Sequence, residues 1–350
     1  MAQLLKLFRE LGFRRIRQIG KAKRDVWEQL ISPHFTTRCI QAALSVGLID
    51  AMRDEGAVDL RAFAEKRGLD GDMLSAVCGA LCARGVLRTA GSADRMKLDK
   101  LGRFIADNNM ARGWLELSYG YEPVLHNLEG LLRKEVRYNQ EVVRDGVSVA
   151  AGSGLACADF YFPMIAAMIR RAGYGRVLDL GCGDGAFLRL LGRLGDAQGV
   201  GIDLSAGAVE RGNQQLGAEG LGERFRLHVG DVRELDRHQD ALGGVDSATM
   251  FFVLHELCDG KENQDVVEFL QSFRRTLPGV QLHVIETIRP TVEEMRANPG
   301  PAVEYFLFHD LSLQRPMDRA GWLDVFGRSG MSLVHEERVP IARTSFFCLQ

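Results

Sequence analysis

Residues 176–185, RVLDLGCGDG, set the reading of the whole chain. Val177, Leu178 and Leu180 make an apolar run of strand length, and Gly181, Gly183 and Gly185 follow it as a turn. The next stretch, AFLRLLGRL, has helical spacing. Three glycines at alternate positions let the backbone bend sharply and approach a ligand with no Cβ in the way. Strand, glycine turn and helix in that order form a cradle, and two kinds of cofactor use one: a dinucleotide or S-adenosylmethionine (SAM).

Toward the C-terminus, strands alternate with helical segments, the signature of a parallel α/β sheet. GVGIDL (199–204), FRLHVGD (225–231), SATMFFVL (247–254) and QLHVIET (281–287) read as strands, followed by MSLVHEERV (331–339) and TSFFCLQ (344–350). Only a Pro-containing turn separates the last two, too little chain for a parallel crossover, so they are expected to be antiparallel. A mostly parallel sheet ending in an antiparallel hairpin favours the Rossmann-like SAM methyltransferase architecture over the dinucleotide one. The turn chemistry agrees. Asp184 would set a negative side chain near any phosphate, whereas SAM has no phosphate and presents cations that Asp179 and Asp184 would favour. Asp203, ending the second strand, is placed for the ribose hydroxyls of either cofactor. Asp231, closing the third strand before Val232, is placed for the adenine amino group. Any one of these acids alone reads equally well as a helix cap or turn former.

Toward the N-terminus, residues 35–100 show three helical segments and a short hairpin, RTAGSADRMKL, which together suggest a winged helix. Its third helix, 71–87, carries only Asp72 and Arg84 as charges, so packing or dimerisation suits it better than DNA. Residues 101–175 read as mostly helical. Within them RYNQEVVRDGVSVAAGSG is expected to be a loop, a lid or a plain linker. The first 25 residues are locally basic and read as an amphipathic helix, for packing or dimerisation rather than a peripheral membrane anchor, without the apolar core and cleavage site of a secretory signal. The expected division is therefore 1–34, 35–100, 101–175 and a SAM-binding domain at 176–350.

A net charge of −2 offers no general attraction to nucleic acid or an anionic membrane. No apolar run reaches the ~18 residues of a membrane span. The seven cysteines (39, 78, 82, 157, 182, 258, 348) are scattered and never spaced CxxC, which argues against a disulfide framework and for the cytoplasm.

On VLDLGCGDG, GVGIDLS and GDV the chain resembles the class I SAM-dependent methyltransferases. Within them it resembles the two-domain group with an N-terminal winged-helix dimerisation domain, typified by small-molecule O-methyltransferases. The resemblance implies a small-molecule substrate, a homodimer, and a cofactor set of Asp179, Gly181, Gly183, Asp203, Asp231, Val232 and Phe252. FVLHELCDG (252–260) resembles the segment in which such enzymes carry a His followed by an acid. In an O- or N-methyltransferase of a small aromatic, His255 would act as general base on a hydroxyl of pKa near ~10, with Glu256 tuning the imidazole.

A narrower resemblance, to the α-keto acid C-methyltransferases acting on 2-ketoarginine or phenylpyruvate, rests on RDGVSVAAGSG, FVLHEL, FLQSFRRTLPGVQLHVIE and YFLFH followed by a Gln. It implies that His255, Glu256 and His309 form a two-His-one-carboxylate site for iron or a divalent cation, which would chelate the keto acid and stabilise its enolate for methylation at C3. All three would then be catalytic. Residues 255 and 256 can ligate together only if the chain turns there. Arg144 is a candidate for the substrate carboxylate or for a loop-anchoring ion pair. Phe251, Phe252, Tyr305, Phe306 and Phe308 are candidates for pocket lining or strand packing.

Overall fold

A computed structural model of the chain describes residues 2–350; Met1, part of the expected 1–34 helix, lies outside them. The chain packs as two compact units, residues 1–115 and 116–350.

The N-terminal unit is mostly helical. Its first helix, Ala2–Ala22, is interrupted at Gly12, whose φ of 73° leaves the helical range. Helices Ser32–Ser45, Leu48–Glu55, Leu60–Arg67 and Gly71–Ala83 follow. The expected hairpin forms from strands Leu87–Thr89 and Arg95–Leu98, which pair antiparallel, with Val58–Asp59 as a third strand. Asp59 and Asp70 cap the two helices that follow them, each accepting backbone N–H bonds through its carboxylate. Only one stripe of the 71–83 helix, Leu74, Cys78 and Leu81, is buried. Its other faces are mostly uncovered within the chain, and Met73 is 71% exposed.

The larger unit is built on one seven-stranded sheet. Its strands are β1 Arg176–Leu180, β2 Gln198–Asp203, β3 Phe225–Val229, β4 Ser247–Phe251, β5 Gln281–Thr287, β6 Leu333–Val339 and β7 Thr344–Leu349. Their order across the sheet is β3-β2-β1-β4-β5-β7-β6. β1 to β5 run parallel, and β7 lies antiparallel to both β5 and β6, as the short connection requires. Side chains alternate between two cores. Leu178 and Leu180 of β1 face helices Gln264–Thr276 and Arg319–Ser329, while Val177 faces helices Tyr161–Ala172 and Ala186–Leu194. With helices on both faces, the carboxyl edge of the parallel strands is where a ligand can reach the backbone.

One expectation fails before the sheet. VSVAAGSGLACA is helical, Gly146–Ala158, and the loop ends at Asp145, whose carboxylate accepts from Val147 N and Ser148 N. The small residues that suggested a loop are compatible with a helix once a capping acid fixes its start. All seven cysteines are free, and no single helix among the described residues is long and apolar enough to cross a membrane.

Candidate active site

The glycine turn leaves β1 with Gly181 at φ 73° and Gly183 at φ 55°, both in the left-handed region. The two glycines serve different ends. A Cβ on Gly181 would lie 2.3 Å from Val253 Cγ2, so that glycine is required by the protein's own packing. A Cβ on Gly183 would meet nothing within 4 Å, so it opens onto space. Asp203 at the end of β2 holds the turn: its Oδ2 accepts from Gly183 N at 2.8 Å and its Oδ1 from Ser205 N at 2.8 Å. Asp179 is buried below, with Thr249 Oγ1 donating to it at 2.8 Å, and burial pushes its carboxyl up to about 7. Open space over Gly183, acids on two neighbouring strands and no phosphate-binding cation on the turn suit SAM, the cofactor expected here.

Two other acids are engaged within the chain. Asp184 meets Arg189 at 3.6 Å, so the negative charge invoked against a phosphate is partly neutralised. Asp231 caps the turn that begins at Val232 and binds the guanidinium of Arg233.

The chemistry-bearing residues lie past β4. Phe252, at φ 55°, stops the strand, and one turn of 3₁₀ helix, Leu254–Leu257, carries His255 and Glu256. That turn sends the two side chains apart. His255 is buried against Glu286 of β5: its backbone N donates to Oε1 at 3.0 Å and its Nδ1 lies 2.8 Å from Oε2. A carboxylate there accepts from Nδ1–H, which leaves Nε2 as the ring nitrogen not held by Glu286. Burial pulls the pKa of His255 down, Glu286 and then Glu256 pull it up, and the net shift is upward. Helix Ala302–Leu311 brings His309 beside it, with ring centroids 4.7 Å apart. Its Nδ1 lies 2.6 Å from the carbonyl of Tyr305; a carbonyl only accepts, so Nδ1 carries the hydrogen. Burial and then the neighbouring His255 hold His309 well below the usual imidazole value, leaving it neutral with a lone pair on Nε2.

Glu256 points elsewhere. Arg144 Nη2 donates to its Oε2 at 2.6 Å, and Gln314 Nε2 donates to the same oxygen. Arg144 Nη1 also reaches Tyr121 OH at 3.0 Å and Gln314 Oε1 at 3.1 Å. Tyr121 stacks on Phe308 and lies 6.1 Å from the His309 ring, which places this ion pair next to the histidines.

Three comparisons bear on this geometry. Residues 177–278 match the family described as a methyltransferase domain. The chain is a SAM-dependent methyltransferase. A 2-ketoarginine methyltransferase of Streptomyces arginensis is 28% identical over 297 residues, covering 82% of each chain. An indolepyruvate C-methyltransferase of Streptomyces griseus is 27% identical over 179 residues, 50% of the methyltransferase described here and 52% of the relative. Human N-acetylserotonin methyltransferase, solved with SAM, shares the fold at a TM-score of 0.64 and 15% identity over 97% of each chain.

The methyltransferase thus gathers Asp179, Gly181, Gly183 and Asp203 at one end of the carboxyl edge and His255 and His309 at the other. It does not assemble the expected three-ligand metal set. Two imidazoles with their Nδ1 atoms fixed by acceptors are good donors, but the Glu256 carboxylate is held by Arg144 and Gln314, and among the described residues no three His, Cys, Asp or Glu side chains are arranged to hold a metal ion. Phe251 packs against Phe162 and Phe187, so its role is core. Sequence reasoning passed over Glu286, Gln314 and Tyr121. Glu286 left a trace, a lone acid in the apolar run LHVIE, and Gln314 another, the Gln that follows YFLFH; Tyr121 left none.

Proposed function

We propose that this enzyme methylates C3 of a small α-keto acid. The observation that carries the reading is the pair His255 and His309, adjacent, buried and shifted in opposite directions, beside a half-buried arginine. Two titratable groups whose environments push their pKa values apart are suited to act as acid and base. The names of the two relatives, a 2-ketoarginine and an indolepyruvate methyltransferase, support an α-keto acid as substrate.

In this reading Arg144 binds the substrate carboxylate and fixes its orientation. His309, neutral with its Nε2 lone pair free, takes the C3 proton. His255, its Nδ1–H held by Glu286, donates from Nε2 to the keto oxygen and stabilises the enolate as charge develops there. Gly183 and Asp203 would hold SAM, with Asp203 for its ribose and Asp231, Val232 and Phe252 for its adenine, and the cofactor would supply an electrophilic methyl group. A cation chelated by the substrate is the alternative electrophile for the keto oxygen; Glu256, engaged by Arg144 and Gln314, is not free to ligate it. The exposed Phe13, Trp27, Leu30, Phe35 and Met73 of the N-terminal unit support the homodimer that the resemblance implies.

Incubation with SAM carrying a ¹³C methyl group and phenylpyruvate, with and without chelator, tests this. A new methyl doublet coupled to the C3 proton is expected in both. Without SAM, deuterium is expected to enter C3 in the wild type and not in H309Q. Methylation of phenols with none of phenylpyruvate would instead establish the O-methyltransferase reading, with His255 as base.

A further inference from the structure

Arg144 and Glu256 form a partly enclosed ion pair at the site. The arginine side chain is 18% exposed and the glutamate 31%. Burial works against the guanidinium charge, and Glu256 and Tyr121 more than restore it. Glu256 reaches Arg144 through a single oxygen, Oε2, which Gln314 shares, while Arg144 turns its other donor to Tyr121 and Gln314. The cluster is arranged around a carboxylate: a guanidinium and a carboxamide converge on it, the Tyr121 phenol accepts from the guanidinium, and the chain's own Glu256 supplies the anion.

We infer that Glu256 is an internal stand-in for the substrate carboxylate on Arg144, displaced when an α-keto acid binds. The inference rests on the proposed substrate class. Its physical basis is that a half-buried guanidinium stripped of its counter-charge is costly, so Arg144 without a ligand needs an anion, and the substrate carboxylate exchanges one ion pair for another. Such an exchange discriminates by charge. A ketone without a carboxylate cannot replace Glu256, whereas an α-keto acid competes with it directly, so the wild-type enzyme binds keto acids more weakly than a site with Arg144 free would.

Isothermal titration of phenylpyruvate, and of phenylacetone as the same ketone lacking the carboxylate, into wild type, E256Q and R144M tests this with S-adenosylhomocysteine present. Glu256→Gln removes the competing charge and is expected to tighten phenylpyruvate about tenfold or more while leaving phenylacetone within about twofold. R144M is expected to erase the preference for phenylpyruvate. Weaker or unchanged phenylpyruvate binding by E256Q, or an equal shift for both ligands, overturns the inference. E256A serves as a second variant, and a thermal melt of each confirms a folded protein. The outcomes separate the two proposals. C3 methylation by wild type with no tightening in E256Q sinks the stand-in alone. Tightening without any methyl transfer to phenylpyruvate sinks the α-keto acid reading and leaves the anion site standing.

Discussion

Four residues bear on the proposed chemistry, and each makes a measurable prediction. His309 must be neutral to accept a proton and His255 protonated to donate one, so the rate is expected to rise with pH through the depressed pKa of His309 and fall through the raised pKa of His255. Glu286→Gln removes the charge that raises His255; the falling limb should move to lower pH with the rising limb little changed, which a kcat profile over pH 5–9 reads. The same shift enters stability. His255 contributes stability fully below its ordinary value of 6.5, and that contribution is lost as pH rises through its raised folded value. Asp179 runs the other way. Its carboxyl stands near 7 in the folded chain against an ordinary 3.8, so the fold holds a proton there that the unfolded chain releases. Stability therefore falls as pH rises across that window and stays low above it. Asp179→Asn is expected to raise the melting temperature of the cofactor-free protein at neutral pH by about 5 °C while weakening SAM binding.

At the scale of elements, the glycine turn contains two glycines whose substitution should fail differently. Gly181→Ala drives a Cβ into Val253 and strains a positive φ, and is expected to cost roughly 2–4 kcal/mol in denaturant unfolding. Gly183→Ala meets no protein atom, so it should fold at a cost of about 1 kcal/mol and lose SAM affinity instead. A Gly183→Ala protein that binds SAM like wild type would remove the cofactor from this turn. The helix Gly146–Ala158 works through its cap. Asp145→Ala should destabilise the protein by about 1 kcal/mol and, by loosening the residue next to Arg144, raise the KM for the keto acid more than it lowers kcat. That helix also shows why local reading falters: Gly, Ser, Val and Ala carry little periodic signal, and the capping bond that starts the helix depends on one carboxylate.

For the whole molecule, the exposed apolar side chains at positions 13, 27, 30, 35 and 73 predict association through the N-terminal unit. Sedimentation should give a dimer for wild type and a shift toward monomer for W27E. The sheet was legible in the sequence because its evidence is local: an apolar run of strand length, a glycine turn, and a final connection too short for a crossover. Those features alone determined seven strands and their directions at the end of the sheet. The candidate site was legible in its residue types, since His255, Glu256, His309 and Arg144 all stand out in the chain, but not in its pairings. Whether Glu256 joins the histidines or leaves them depends on one 3₁₀ turn. Glu286 from β5, Tyr121 from the helical region and Gln314 past the last site helix reach the site only through packing. Side-chain partners separated by 31 to 170 residues are set by which strands lie side by side and where helices dock, and spacing along a sequence carries no record of that.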